Sequence, residues 1–255
     1  MVYNLVIDAD SLLYTSCYRH QVIVDKGTYE DFFGTQQQEG FTYCNLELAY
    51  MDFVSSISRM KSAIWSKFEL TKEDSIEFEI VFSPKKTFRN NLSPTYKANR
   101  KPSTIVGIGE LKQLVVNRLG ATEIKNLEAD DIVITRAYEK ENVIIGCIDK
   151  DIYTHSPVSC INYNKWEWTD AVDKETIEEE YYYQAIMGDS TDGIKGVVGI
   201  GKTGARALVS NALEPMTYEK YVSLFDTEED AILSMRLIRM DQYKKGELVL
   251  WNKES

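Results

Sequence analysis

Two short apolar runs that each stop at an aspartate constrain the fold more than any other feature. Tyr3–Ile7 (YNLVI) runs into Asp8, and residues 142–148 (NVIIGCI) run into Asp149. Unalternating apolar runs of this length read as strands of a parallel sheet buried on both faces. Residues 78–82 (FEIVF) read as a third. Between the second and third runs lie two segments with helical spacing, 108–119 and 129–141. Strands alternating with helices predict an α/β fold, a mainly parallel central sheet flanked by helices. Ligands of such sheets gather beyond the carboxyl ends of the strands, where Asp8 and Asp149 fall.

The remaining chain is read more coarsely. Short strands are expected within 158–163, an acidic helix over 174–187 and a last strand over 247–251. Residues 83–104, broken by Pro84, Pro94 and Pro102, read as an excursion over the sheet edge. With 255 residues and 44% hydrophobic content, the chain can bury a substantial core. Cys17, Cys44, Cys147 and Cys160 form no close-spaced pair, so neither a zinc site nor a disulfide framework is expected. No apolar run approaches the ~18 residues of a membrane span, and the N-terminus carries no secretory pattern. A soluble cytoplasmic protein is expected, in the host cytoplasm if a phage encodes it.

A net charge of −11 argues against a general nucleic-acid binder unless acids and bases are segregated. They are. Residues 83–101 carry Lys85, Lys86, Arg89, Lys97, Arg100 and Lys101 with no acid, interleaved with Phe88 and Tyr96. Residues 193–213 carry Lys195, Lys202 and Arg206, also without an acid. A basic, aromatic-interleaved segment suits a nucleic-acid strand, by charge and stacking.

The carboxylates form small groups: Asp8 with Asp10; Glu128, Asp130 and Asp131; Asp149 with Asp151; Asp189 with Asp192. Asp130 and Asp131 would occupy the first turn of a helix. Asp149 and Asp151 would point one way if the strand continues through them. Asp189 and Asp192 would share a face if their turn is helical. Capping or solvation explains any one group. Several groups meeting at one sheet edge would repel unless protonated or joined by cations. Mg²⁺ or Mn²⁺ suits oxygen donors, and two such ions ~4 Å apart serve in-line phosphoryl transfer.

The stretch GVVGIGKTG, 196–204, satisfies both a P-loop and a dinucleotide pattern as letters. Both motifs need an apolar strand leading into the first glycine. The preceding YYYQAIMGDSTDGIK reads instead as a helix and a polar turn. A helix, glycine-rich hairpin and helix would offer backbone N–H groups to a nucleic-acid phosphate, and no ATP site is expected.

The motifs VIDADSL, TFRNNLSPTYKANRKP, LEADDIV, IDKDIYT and MGDSTDGIKGVVGIGKTGARAL stand in the order seen in the structure-specific 5′ nucleases. That family comprises flap endonucleases, the 5′ nuclease domain of bacterial DNA polymerase I and phage 5′→3′ exonucleases. The resemblance covers roughly residues 5–208. The closing pattern MRLIRMDQY…ELVLW resembles the exonucleases of T-seven-like short-tailed phages in particular.

The resemblance implies a two-metal hydrolase of DNA, a 5′→3′ exonuclease with flap endonuclease activity, whose helix–three-turn–helix grips duplex DNA. It implies a nuclease core over 1–188, with an arch at about 83–104, and a DNA-binding region over 189–255 packed on it. It carries Asp8, Glu128, Asp130, Asp149, Asp151, Asp189 and Asp192 over as metal ligands, with Asp131 beside them. Lys97 and Arg100 would act on the scissile phosphate. Arg89, Tyr96, Lys195, Gly199, Gly201, Lys202 and Arg206 would contact DNA. Carbonyls near Val198 and Ile200 would hold K⁺. Duplex DNA with 5′ ends or flaps is the implied partner, RNA–DNA hybrids are plausible substrates, and a monomer is expected. One departure stands out: where the family has an aspartate after the second strand, this chain has Ser83 and Pro84. A catalytically weak DNA-binding member of the same fold is the alternative this departure leaves open.

Overall fold

The computed structural model describes residues 1–30, 35–211 and 213–253, with the side chains of 29, 30 and 36–39 outside the description. In chain order the elements are β1 (Val2–Asp8), α1 (Asp10–Arg19), β2 (Gln21–Glu30), β3 (Gln36–Cys44), α2 (Leu46–Lys67), β4 (Ser75–Val81), α3 (Phe88–Leu92), α4 (Ile108–Leu119), α5 (Ala129–Glu139), β5 (Val143–Cys147), α6 (Lys150–His155), β6 (Cys160–Asn162), β7 (Glu167–Thr169), α7 (Lys174–Met187), β8 (Gly188–Asp189), β9 (Ile194–Lys195), α8 (Lys202–Val209), α9 (Tyr218–Val222), α10 (Glu228–Ile238), β10 (Tyr243–Lys244) and β11 (Glu247–Leu248). None of the described helices is long and apolar enough to cross a membrane.

The chain divides into two compact units. The first contains Met1–Asp8, Glu73–Lys101 and Thr122–Ser255. Its sheet runs β4-β1-β5-β6-β7, parallel from β4 to β6 and antiparallel only at β7. This is the predicted α/β architecture. All five residues of β5 are buried, as the apolar run required. Val143 and Ile145, each worth roughly 1.5–3 kcal/mol when fully buried, share a core with Ile132 and Val133 of α5, Tyr181 and Ile186 of α7, Met235 of α10 and Trp251. The expected boundary at 188/189 therefore runs through the interior of this unit.

The second unit, Ala9–Lys72 with Pro102–Ala121, packs α1, α2 and α4 against one another. The antiparallel pair β2–β3 extends from it, with a register shift between Asp25 and Gly27. The N-cap residue Asn45 starts α2 by accepting from the Leu48 N–H. Helix α4 has the predicted bounds, and α5 starts where predicted but ends at Glu139. The last strand is shorter than expected. β11 stops at Leu248, and Trp251 turns inward, donating its N–H to Gln242 Oε1.

Candidate active site

The carboxyl edge of the first unit's sheet collects the acids. Asp8 closes β1, and the adjacent β5 leads into Asp149. The strand does not continue through Asp149, so the condition for Asp149 and Asp151 to point one way is not met. Asp149 caps α6 instead, accepting from the Asp151 N–H at 2.9 Å. The short side chain satisfies one of the helix's orphan donors, which wins over strand extension. Asp151 is half-buried and accepts from Gln184 Nε2 at 2.9 Å. The sequence gives no hint of Gln184, whose only signal is its place on α7 ahead of Asp189.

Asp189 and Asp192 are not on a helix. Asp189 ends β8 and its Oδ1 accepts from the Thr191 N–H at 2.8 Å and the Asp192 N–H at 3.3 Å, folding the connection to β9 into an Asx-type turn.

The acids perturb one another in two overlapping groups. Burial, then the charges of Asp8, Glu128 and Asp149, raise the Asp130 carboxyl well above its usual range, while Lys97 works the other way. Burial, then Asp149 and Asp189, raise Asp151. Asp149 belongs to both groups. One edge therefore gathers Asp8, Glu128, Asp130, Asp149, Asp151 and Asp189.

Cations close the site from the side of residues 94–100. Lys97 Nζ lies 2.5 Å from Glu128 Oε1 and 4.0 Å from Asp192 Oδ2. Arg100 donates from Nε and Nη2 to Asp192 Oδ1, at 2.9 and 2.6 Å. Burial opposes ionisation of Glu128, but Arg89 and Lys97 outweigh it and lower its pKa. Glu128 is thus an anion held between two bases.

Three expected contacts are corrected by burial. Arg89 is 2% exposed and cannot lie on a DNA surface. Its guanidinium grips Asp131 with two 2.7 Å bonds and also donates to Glu128 Oε2 and to the carbonyls of Leu237 and Arg239. Burial works against that charge, yet Asp131 and Glu128 outweigh it and raise the pKa of Arg89. Asp131, 1% exposed, has both oxygens on Arg89 and also accepts from the Glu128 N–H, so its carboxylate is turned to structural partners. Tyr96 is 5% exposed, and its hydroxyl donates to Glu128 Oε2 at 2.8 Å. A ring packed on Ile194 and Leu237 has no free face for a nucleic-acid base. Thr87, Phe88, Arg89, Ser93 and Tyr96 of the predicted excursion are therefore core, while Lys85, Lys86 and residues 98–104 are exposed. Ser83, in place of the family's aspartate, accepts from the Ala129 N–H at 2.8 Å and helps start α5.

The glycine stretch has the context predicted for it. Helix α7 and the two-residue strands β8 and β9 precede it, α8 follows, and no long strand enters Gly196. Gly196 serves packing. A side chain there would meet the Met187 backbone at 2.3 Å, and the Val197 N–H donates to the Ile186 carbonyl. Beyond it, Gly199, Gly201, Lys202 and Gly204 line an open depression at the start of α8. Lys195 and Lys202 are exposed, while Arg206 is paired with Glu180 and stacked over Tyr183.

Among the described residues, no three acidic, histidine or cysteine side chains form a ready-made shell for an ion. The physical reason is visible: Glu128 and Asp192 are held by Lys97 and Arg100, and the other carboxylates repel. The donor chemistry nonetheless fits a hard divalent cation. Every candidate ligand is a carboxylate oxygen, and the raised Asp130 and Asp151 mark charge that a cation would offset.

The model of the 5′–3′ exonuclease N-terminal resolvase-like domain matches residues 4–182. The chain belongs to this exonuclease family. It is accordingly a nuclease, a hydrolase of phosphodiester bonds. The match contains Asp8, Glu128, Asp130, Asp149 and Asp151 and ends before Asp189. A 5′–3′ exonuclease of Buchnera aphidicola from Acyrthosiphon pisum is 27% identical over 241 residues, covering 78% of this chain and 81% of the relative. The thermostable DNA polymerase I of Thermus aquaticus is 30% identical over 200 residues, 70% of this chain but 23% of that protein. The T5 D15 protein, co-crystallised with metal ions, superposes with a TM-score of 0.61 at 16% identity over 94% of this chain and 90% of that one. The T5 5′-exonuclease with bound zinc gives 0.58 at 17% identity, covering 95% and 91%. These two likenesses are of fold.

Proposed function

We propose that this member of the exonuclease family is a divalent-metal-dependent 5′→3′ exonuclease of duplex DNA that also cuts 5′ flaps. The observation that carries the reading is the overlap of two mutually repelling carboxylate groups at Asp149, beside Lys97, in a chain of exonuclease family. Asp8, Glu128, Asp130 and Asp149 would hold one ion and Asp149, Asp151 and Asp189 a second, with Asp192 at the rim. Mg²⁺ or Mn²⁺, when bound, supplies activation of the attacking water and offsets charge on the leaving oxygen.

The chain's own residues do the rest. Lys97 and Arg100 exchange carboxylate partners for the scissile phosphate and offset its charge. Lys195, Lys202 and the N–H groups of Gly199 and Gly201 hold duplex phosphates, assisted by Arg206, with K⁺ at the carbonyls near Val198 and Ile200. A grip centred on phosphate tolerates either sugar, so RNA–DNA hybrids belong to the same substrate class. The closing pattern MRLIRMDQY…ELVLW supports a phage-type exonuclease.

Digestion of 5′-labelled blunt, gapped and flapped duplexes with Mg²⁺, Mn²⁺ or EDTA tests the reading. Release of nucleotides is expected with either ion and none with EDTA. The Asp149→Ala variant should lose most turnover, about 10²-fold or more as for loss of a group that stabilises transition-state charge, while retaining DNA binding. Near-normal cleavage by that variant would remove Asp149 from the site. Ser83 favours one second reading, a weak catalyst that chiefly binds DNA, and the same assay separates it by DNA affinity without metal-dependent release.

A further inference from the structure

Lys97 holds a backbone conformation that lysine rarely adopts, φ +56° in the left-handed region. A residue there must be held by its surroundings. The hold comes from the turn between Asp189 and Ile194. The Lys97 N–H donates to the Asp192 carbonyl at 2.9 Å, and the Arg100 side chain grips the Asp192 carboxylate. Beneath them the Tyr96 ring packs on Ile194. At the centre of this contact two backbones meet with nothing between them. A Cβ on Gly193 would stand 2.4 Å from the Thr95 carbonyl oxygen, and Gly193 itself has φ +72°. The clashing atom is main chain, so no rotamer change relieves it.

We propose that Gly193 is a positioning residue that seats Lys97 by letting the Asp192–Gly193 turn press against Thr95. This rests on the reading of Lys97 as the group that meets the scissile phosphate. The turn also carries the candidate ligands Asp189 and Asp192. Gly193 thus sets the register between the site's acids and its base, including the 2.5 Å approach of Lys97 to Glu128. An added methyl must push Thr95–Arg100 away or open the turn. Either movement takes Lys97 off its line, and misplacement by ~1 Å can cost about 10²-fold in rate.

The test compares Gly193→Ala with Gly246→Ala. Gly246 has φ +88° in the β10–β11 turn, and a Cβ there meets nothing within 4 Å, so it controls for backbone strain alone. On a flapped duplex with Mg²⁺, Gly193→Ala should lower kcat about 10- to 100-fold with KM nearly unchanged. Gly246→Ala should leave both alone, while circular dichroism shows both variants folded at the assay temperature. In a Lys97→Ala background, Gly193→Ala should cost less than about 2-fold, because residues acting through one another are not additive. Hydrogen exchange read by NMR should show the Lys97 amide losing protection at least about 10-fold in Gly193→Ala and not in Gly246→Ala. Equal losses in both backgrounds with the amide still protected would overturn the proposal. If the wild-type protein releases no nucleotides, the nuclease mechanism fails and the amide alone decides: protection lost supports the seat, protection kept overturns it.

Discussion

At the scale of single residues, Asp130 and Asp131 are neighbours of the same type with opposite work. Asp131 turns inward to Arg89, and Asp130 faces Asp8 and Asp149. The sequence places both in the first turn of a helix but cannot say which faces which way. That choice is made by Arg89, distant in the chain, and by the carbonyls of Leu237 and Arg239 that fix it. Tyr96 is similar: an aromatic in a basic segment looks exposed, and only the packing of Ile194 and Leu237 shows that it is not. Arg89→Ala would leave the Asp131 charge buried without its cation, at about 3–5 kcal/mol. Chemical denaturation should show that loss, and Arg89→Lys, keeping charge without the fork, should recover only part of it. Wild-type stability in Arg89→Ala would deny that this pair anchors α5.

Among the elements, those with undiluted patterns were legible. β1 and β5 follow from apolar runs without alternation and α4 from its spacing. The β2–β3 pair carries no comparable signal, because glutamines, acids and threonines interrupt any alternation, and the long helix α2 announces its start only by the single capping residue Asn45. Whether the strand continues through Asp149–Asp151 is not legible, because a capping aspartate and a strand-end aspartate look identical as letters. One inter-element tie gives a pH prediction. Glu79 of β4 accepts from Thr122, from Arg136 of α5 and from Lys140. Burial opposes its charge, but the bond from Lys140, with Thr122 and Arg136, outweighs burial and lowers its pKa below the usual 4.5. A carboxyl lowered in the folded state adds stability above its unfolded pKa, and that increment fades as pH falls through the folded value. Glu79→Gln should therefore reduce the urea midpoint at pH 7 and much less at pH 3. An equal reduction at both would show that charge plays no part.

At the scale of the whole molecule, the first unit is built from both ends of the chain. Its core joins β1 and β5 to Tyr221, Met235, Met240 and Trp251. A chain ending at Gly188 would expose the faces of Tyr181 and Ile186 that α10 and the C-terminal segment cover. Such a truncation should lose its cooperative thermal transition and bind a hydrophobic dye. A sharp melt from that fragment would show that residues 1–188 fold alone.

The strand order β4-β1-β5 has a consequence for synthesis. The first strand made waits for its two flanking strands, and Asp8 waits for Asp149 and then for the turn at Asp189–Gly193. A polypeptide still leaving the ribosome holds only fragments of the candidate site. Whatever nucleic acid lies nearby meets the assembled carboxylate edge only after the turn at Asp189–Gly193 has been made.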